Sequence, residues 1–413
     1  MGERPLEGLH VVLVPIWYPT PEAPTGGRVF KEFLQAFSGA GARVGLLYPD
    51  LIDLGNQPKA NKDPEYAHRR KMMGLSRWPW PVLREETDAG APVVRVRGLY
   101  TSLGKKVRRV DRFAEWLERA LRHYAGRHGM PDVLNAHCAT PAGWAALEVA
   151  GKVQPRPRVV LTEHTGPFEL LLADPEIAER TLAACRDADA ICAVGDFLAD
   201  EMRRAGVDRP IPVIGNPAAA DFRYAPLPPP RRTADGRPSY TGIYTGRFTH
   251  KKGMLELADA IDELARDPAL EIRWEFFGFF EEETDVIDRL RGLEAAGRIT
   301  IHGIQGRPEI ARAMRESHFL ILPTHRDNCP LSVVEALSMG RPVVGTRGTG
   351  LDSYVREGDG LLGEPENPAD LARAIRAALA TSWDAGAIAE RAESRFGWNA
   401  IAQKYAPLFR GRV

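Results

Sequence analysis

The sequence is poor in cysteine and has no excess of either charge. Among its 413 residues, 4 are cysteines, which form no CxxC pair and no metal-ligand spacing: Cys138, Cys185, Cys192 and Cys329. We therefore expect reduced thiols and neither a disulfide framework nor a structural zinc site. The 55 Lys and Arg residues balance 55 Asp and Glu residues, so the formal net charge is zero. This balance argues against a dedicated nucleic-acid-binding protein.

Long hydrophobic runs are also missing. The apolar stretch LHVVLVPIWYP follows MGERPLEG and is too short to span a bilayer. It also lacks the basic start and the small-residue cleavage site of a secretion signal. We interpret it as a first buried strand and expect a soluble, cytoplasmic protein.

What the chain does contain is a repeated alternation of strand and helix patterns. HVVLVPIWYP is followed by a Pro/Gly-rich turn, by the helical pattern FKEFLQAFSGAG and by the strand pattern ARVGLLYP. A chain of 413 residues is too long for one hydrophobic core, so we expect two α/β domains with parallel sheets. The Pro- and Arg-rich segment 222–240 has no apolar period and is the best linker candidate. We therefore predict domains at 1–220 and 221–395, and a final amphipathic helix at 396–413.

Two doubly wound domains joined by a linker suggest a cleft, with ligands beyond the carboxyl ends of the strands. In this chain the rule selects the loops after VPIWYP, LNAH, LTEHT, YTGRF and LILPT. Residues 52–92 resist this interpretation, because their clustered Arg, Trp and Pro show no clear period. They indicate either an insertion packed on its own domain or a lid that faces a partner, an acceptor or a membrane.

Two cations stand just before a predicted helix in YTGRFTHKKGM. Arg247 can fork onto phosphate oxygens, Lys252 can add a point charge, and the glycine at the strand end lets the backbone come close to a diphosphate. The alternative is a solvated basic turn.

The segment HRDNCPLSVVEALSMGRPVVGT predicts a loop, a helix and a short buried strand. The helix is expected over Leu331–Leu337, with Pro330 in its first turn and Gly340 at its end.

This helix and the loop before it carry groups suited to a nucleotide sugar. N–H groups near Leu331 and Ser332 can bind an anion. Glu335, inside the helix, suits ribose hydroxyls, and Asp327, in the preceding loop, can accept hydroxyl groups of a sugar. An acid pair at this spacing is common in helices, but together with the upstream Arg/Lys pair the pattern becomes specific.

These motifs, continued by GTGLDSYVREGDGLL and ENPADLARAIRAAL, resemble the retaining GT-B glycosyltransferases of family 4 (GT4). The resemblance runs over nearly the whole chain. It implies a GT-B fold, in which two doubly wound, Rossmann-like domains face each other across a deep cleft. The N-terminal domain would bind the acceptor, the C-terminal domain would bind the donor, and the last helix would pack back on the N-terminal domain.

The resemblance also implies an activity. It is retaining, metal-independent and cofactor-free transfer of a hexosyl group from a nucleotide-diphosphate sugar, UDP- or GDP-linked, to a hydroxyl group. The acceptor would be a carbohydrate, a lipid-linked or a small-molecule compound in glycan, glycolipid or glycoside synthesis. No nucleic-acid partner is implied.

Position in the motifs implies roles for individual residues of the donor site. Arg247 and Lys252 would hold the diphosphate and Glu335 the ribose. Asp327, where most of the family has Glu, would hold hydroxyls of the donor sugar. The other donor-site candidates are Asn328, Pro330, Leu331, Ser332 and Ile304, with Phe279 beside the base and Asp352 as a further acid.

The N-terminal half resembles the family more loosely. Gly26 and Gly27 match the family's Gly-Gly loop near the diphosphate. His137 lies where related enzymes have a histidine near the donor sugar, which makes it a catalytic candidate together with Asp327, Arg247 and Lys252. A histidine after a strand is more often a hydrogen-bonded structural residue. The acceptor-side candidates are His164 and Glu163, with Asn216 as a weaker one.

Other functions compete with this one. The nearest is a UDP-sugar 2-epimerase of the same fold. An NAD-linked oxidoreductase is disfavoured because neither half has GxGxxG after its first strand. A non-catalytic binding protein would have lost the phosphate-binding residues. The run Lys105-Lys106 and Arg108-Arg109 is either the solvated start of a helix or a weak peripheral contact with an anionic membrane.

Overall fold

The structure is a computed structural model that describes residues 4–20, 23, 25–53, 81–100 and 107–412. The chain divides into two compact units. The first comprises Met1–Val194, Leu198–Ile214 and Ala402–Val413, and the second comprises Gly195–Phe197 and Gly215–Ile401. Among the described residues, no helix is long and apolar enough to cross a membrane.

The first unit is built on a mostly parallel sheet. Its strands are β1 (His10–Val14), β2 (Arg43–Asp53), β3 (Val82–Asp88), β4 (Ala91–Tyr100), β5 (Val133–His137), β6 (Arg158–Glu163) and β7 (Ala190–Ala193). They lie in the order β3-β4-β2-β1-β5-β6-β7, and only the β3/β4 pair is antiparallel. The helices along this part of the chain are α1 (Val29–Gly39), α2 (Val107–His128), α3 (Trp144–Ala150), α4 (Pro175–Asp187) and α5 (Asp196–Arg204). Strand order reverses between β1 and β5, so the loops after these two strands diverge and leave room for a ligand.

Local sequence explains these elements. β1 and β5 are buried at every position, which is typical of central parallel strands. In α2 the buried side chains Val110, Phe113, Leu117, Leu121 and Tyr124 recur at intervals of three or four residues, and arginines fill much of the exposed face.

The second unit repeats the architecture. Its strands are β8 (Arg231–Arg232), β9 (Pro238–Phe248), β10 (Glu271–Phe280), β11 (Ile299–Gly303), β12 (Phe319–Leu322), β13 (Val343–Thr346) and β14 (Gly360–Gly363). The sheet runs β11-β10-β9-β12-β13-β14, with β8 antiparallel to β9, and reverses between β9 and β12. The helices are α6 (Met254–Leu264), α7 (Thr284–Ala295), α8 (Arg307–Arg315), α9 (Leu331–Ser338), α10 (Pro368–Ala380), α11 (Ala385–Phe396) and α12 (Trp398–Arg410).

The linker prediction for residues 222–240 was wrong. Phe222, 2% exposed, and Ala225, 7% exposed, belong to the core of the second unit. The buried guanidinium of Arg341 donates to the carbonyl oxygens of Ala225 at 3.0 Å and Pro226 at 2.9 Å, and β8 follows within the same segment. The segment has no apolar period because one aromatic ring and two backbone carbonyls, instead of a repeating face, hold it in place.

Two further predictions need correction. Part of the region 52–92 is regular, since β3 and the start of β4 fall within it. This edge strand was not predicted because the sequence of β3 is charged and none of its positions is buried. Residues 54–80 and the Lys105-Lys106 pair lie outside the described residues. The helix predicted over Leu331–Leu337 is confirmed as α9, but Pro330 is its N-cap and not part of its first turn.

The end of α12 contributes to the first unit. Tyr405 is fully buried, and its ring lies 5.8 Å from that of Phe33 and 5.2 Å from that of Phe37. Its hydroxyl lies 3.0 Å from Oγ1 of Thr162 on β6, and Arg158 donates to the carbonyl of Leu408 at 2.7 Å.

Candidate active site

In the second unit, two loops meet at the point where strand order reverses. The loop after β9 ends at Gly253, which has φ +68°, and a Cβ on that glycine would lie 1.9 Å from the carbonyl oxygen of Pro323 in the loop after β12. The carbonyl of Lys251 accepts the N–H of His325 at 2.9 Å. The two loops therefore touch backbone to backbone, and only glycine fits at position 253.

An ion pair joins these loops. The ammonium of Lys252 donates to the carboxylate of Asp327, and the two side chains are 14% and 17% exposed. A third loop, after β13, supports the acid: the N–H of Asp327 donates to the carbonyl of Thr349 at 2.8 Å. Gly350, at φ +97°, passes so close that a Cβ would lie 2.0 Å from the Asp327 carbonyl oxygen. The structure thus brings together two residues that the sequence assigned to different ligand groups.

Arg247 lies at the end of β9 and is more exposed. Its guanidinium pairs with Glu281 at 2.7 Å, and its side chain is 51% exposed. The buried hydroxyl of Tyr244 donates to the backbone carbonyl of Arg247 at 2.6 Å. The backbone is therefore fixed while the guanidinium stays accessible to an anion.

The N-terminus of α9 completes this group. The N–H groups of Val333 and Val334 donate to the carbonyl of Pro330 at 3.0 and 3.2 Å, so the helix begins with the N–H groups of Leu331 and Ser332. Glu335 is half-buried one turn further on.

The strand ends β10 and β11 carry exposed apolar side chains. Phe279 is 42% exposed and Ile304 is 59% exposed. They line a cavity of about 420 Å³ together with Phe248 and the glycines Gly278 and Gly303. An apolar surface of this kind at the edge of a parallel sheet suits a planar base.

In the first unit, His137 and His164 form a hydrogen-bonded pair at the ends of β5 and β6. His137 is fully buried, and its Nδ1 lies 2.9 Å from Nε2 of His164. Burial lowers the pKa of both imidazoles below the usual value of 6.5, so both are neutral at pH 7. The Nε2 of His137 has no hydrogen-bond partner among the described residues.

Glu163 acts on the backbone. Its carboxylate is fully buried and accepts the N–H groups of Ala139 at 2.6 Å, His164 at 2.9 Å and Thr165 at 2.7 Å. Burial raises the pKa of Glu163, and the N–H donors oppose this effect. Glu163 therefore braces the turns that follow β5 and β6.

The loop after β1 contains Trp17, a residue that was not selected from the sequence. Gly27 has φ +69°, and a Cβ on it would lie 2.5 Å from the carbonyl oxygen of Trp17 and 2.8 Å from its ring atom Cδ1. Gly26 has no comparable steric requirement. Trp17 was identifiable as a large aromatic residue directly after the first strand of a doubly wound sheet.

Three other residues have mainly structural contacts. Asn216, 5% exposed, donates to Sγ of Cys329 at 3.2 Å. Asp352 accepts the N–H of Gly348 at 2.7 Å and so closes the loop after β13. Gly195, which sequence reasoning also missed, packs against Asn328, since a Cβ there would lie 2.3 Å from the Asn328 carbonyl oxygen.

The described residues contain no group of three or more His, Cys, Asp and Glu side chains that could hold a metal ion. The prediction of a metal-independent reaction is not tested by this observation.

Two family models match the chain. The model described as Glycosyltransferase Family 4 matches residues 26–222, and the model described as Glycosyl transferases group 1 matches residues 239–381. A D-inositol 3-phosphate glycosyltransferase from Geodermatophilus obscurus is 28% identical over 68% of this chain and 60% of its own length. The putative teichuronic acid biosynthesis glycosyltransferase TuaC of Bacillus subtilis is 25% identical over 59% of this chain and 60% of its own length. The matched region thus spans about three fifths of these relatives.

Solved structures share the fold over almost the full length. Sucrose-phosphate synthase from Thermosynechococcus elongatus has a TM-score of 0.65 and 18% identity, covering 97% of this chain and 98% of that one. Anabaena HepE in complex with UDP has a TM-score of 0.63 and 16% identity, covering 97% of this chain and 100% of that one. Family models in both halves, and two parallel-sheet units shared with GT-B glycosyltransferases, place this chain in glycosyltransferase family 4 with the GT-B fold.

Proposed function

We propose that the protein is a retaining glycosyltransferase that moves a sugar from a nucleoside-diphosphate sugar to a hydroxyl group. The observation that carries the proposal is the convergence of Lys252, Asp327 and the start of α9 where strand order reverses in the second sheet. A cation and free helix N–H groups suit a diphosphate, and an adjacent carboxylate suits sugar hydroxyls. The solved HepE structures with UDP and with UDP-glucose support a nucleotide-sugar donor.

The chemistry requires stabilisation of a departing diphosphate. As the bond between the anomeric carbon and the phosphate oxygen breaks, negative charge grows on the phosphate and positive charge on the sugar. Arg247, Lys252 and the first N–H groups of α9 would stabilise that phosphate charge. The acceptor hydroxyl would attack the face from which the diphosphate leaves, and a phosphate oxygen would take its proton. No side chain of the protein is assigned as the general base.

Donor class is testable by a thermal-shift screen with UDP-, GDP-, ADP- and TDP-sugars, with and without EDTA. Free ligand at ~100 times its dissociation constant should stabilise the folded state by about 2.7 kcal/mol. We expect one nucleotide series to raise the melting temperature equally in EDTA. A shift that EDTA abolishes would contradict metal independence, and a response to NAD(P) alone would contradict the assignment.

Turnover is tested with a matched pair of lysine variants. Lys252→Ala should abolish sugar transfer, whereas Lys251→Ala, which removes the exposed neighbour, should retain it. Full activity of Lys252→Ala with every donor would refute the assigned role.

NMR of the product determines the anomeric configuration and also tests the main alternative function, an epimerase. A retained anomeric configuration is expected. Conversion of a UDP-sugar into its C2 epimer without any acceptor would instead identify the epimerase.

A further inference from the structure

The aromatic cluster at the end of β1 has one partly exposed member. Phe30 and His137 are fully buried, whereas Trp17 is half-buried. Its ring meets that of Phe30 at 5.5 Å and 61° and that of His164 at 5.9 Å and 84°, both edge-on. The indole is therefore held rigidly, with part of its surface left accessible.

The backbone of Gly27 fixes Trp17 from the other side. The left-handed conformation of Gly27 lets the chain pass the Trp17 carbonyl and ring at distances that no side chain would tolerate. Among the described residues, no group accepts a hydrogen bond from the indole Nε1. Buried tryptophan N–H groups generally find an acceptor. Because the Nε1–H of the half-buried Trp17 has none in the described part of the chain, this donor is available to a ligand.

The side chains of the cluster carry no positive charge. Its two imidazoles are uncharged at pH 7, because burial lowers their pKa, and the carboxylate of Glu163 is fully used by backbone N–H groups. A phosphate or carboxylate would find no compensating charge among these side chains. A neutral ring with polar edges and C–H faces fits both the indole surface and its N–H donor.

We propose that Trp17 is the platform on which the acceptor binds, and that the acceptor presents there a neutral, polyhydroxylated ring, either a pyranose or a cyclitol. One C–H face of the ring stacks on the indole, and the Nε1–H donates to a ring hydroxyl. The proposal rests on the proposed function, since it assigns the acceptor side of that reaction. It also predicts that open-chain polyols such as glycerol are poor acceptors.

The test follows the indole ¹⁵N–¹H NMR signal of Trp17, assigned by its loss in Trp17→Phe, during titration with methyl hexopyranosides and myo-inositol at millimolar concentrations. We expect this signal to shift with at least one ring polyol and not with glycerol. Saturation-transfer signals from the same polyol should be lost in Trp17→Leu. The matched control is Trp383→Phe, because Trp383 is also partly buried but its Nε1–H is occupied by the carbonyl of Ala378 at 2.8 Å.

Kinetic measurements with the best acceptor distinguish two roles for Trp17, holding the loop in place and binding the acceptor. Trp17→Leu should raise the acceptor KM about tenfold while the thermal shift produced by UDP is unchanged, and Trp17→Phe should show a smaller rise. Absence of a Trp17 shift with every ring polyol, or a shift with UDP alone, would overturn the proposal. Because polyol titration needs no donor, loss of nucleotide binding would refute the proposed function without deciding this one.

Discussion

Replacing Asp327 by Asn should make the protein bind UDP more tightly while it loses sugar transfer. In the structure the ammonium of Lys252 is already occupied by the Asp327 carboxylate. A diphosphate must therefore break that pair to recruit Lys252. The amide of Asn keeps the shape of the side chain but removes its charge, so Lys252 is released for the phosphate at no cost.

The size of the effect follows from the burial of the pair. With side chains 14% and 17% exposed, the pair lies between exposed ion pairs, which contribute about 0–1 kcal/mol, and charged hydrogen bonds, which contribute roughly 1.5–3 kcal/mol. We take about 1 kcal/mol as the cost of opening it, which corresponds to roughly a fivefold lower Kd for UDP. A UDP-sugar should gain less than UDP, because the variant also loses the carboxylate that accepts sugar hydroxyls.

Isothermal titration calorimetry with UDP and a UDP-sugar, together with turnover assays, measures both effects. The matched control is Asp285→Asn, an acid of the same unit that pairs with His250 at 2.6 Å and should leave UDP affinity unchanged. The gain for Asp327→Asn should shrink at high salt, since screening already weakens the pair. Weaker UDP binding by Asp327→Asn would refute the reasoning, because the carboxylate would then support nucleotide binding instead of competing with it.

The remaining predictions concern stability. Gly253→Ala should abolish donor binding and lower the melting temperature, because its Cβ would lie 1.9 Å from the Pro323 oxygen in a backbone conformation at φ +68°. His10, 3% exposed, accepts from Arg43 at 2.7 Å, and burial lowers its pKa from 6.5 to about 4. The pKa of His10 is lower in the folded state than in the unfolded state, so protonation of His10 favours unfolding. Its contribution to the free energy of unfolding is therefore complete above pH 6.5, and about 3 kcal/mol is lost as the pH falls toward 4. Arg341→Met should lower the free energy of unfolding in urea by about 3 kcal/mol, because it leaves three carbonyl oxygens without their donor, two of them in buried hydrogen bonds.

Each of these has a contradicting outcome. Unchanged UDP binding by Gly253→Ala would show that the two loops can separate. A His10→Gln variant should lose this part of the pH dependence, and an unchanged acid transition would assign it to other groups. Stability of Arg341→Met equal to that of the wild type would mean that water or a rearranged chain satisfies the carbonyls.

Much of the second unit could be predicted from short-range patterns. The helix α9 was predictable because a proline precedes it, Gly340 follows it and a buried strand comes next. Lys252 and Asp327 were both selected, but their ion pair was not, since it depends on two loops 75 residues apart. The sequence assigns each to a ligand group, whereas the fold joins them in an ion pair.

Residues that act through tertiary contacts could not be predicted. Glu163 looked like an acceptor-side acid, yet it accepts backbone N–H groups from two turns that only the folded sheet brings together. Arg341 follows the glycine that ends α9 and was not selected from the sequence, but it is fully buried. Phe222 anchors a segment whose composition indicated a linker. In each case a few tertiary contacts decide the outcome, and composition does not reveal them.

The position of Tyr405 has a consequence for the order in which the two units can fold during synthesis. The first unit needs residues from Ala402 onward, and Tyr405 fills a space between Phe33, Phe37 and Thr162 within it. Residues from Ala402 onward leave the ribosome after the entire second unit. The second unit can therefore acquire its core during synthesis, while the first, although translated earlier, stays incomplete until Tyr405 has emerged. Domains usually fold in the order of translation, so this chain should need protection of its amino-terminal half during growth.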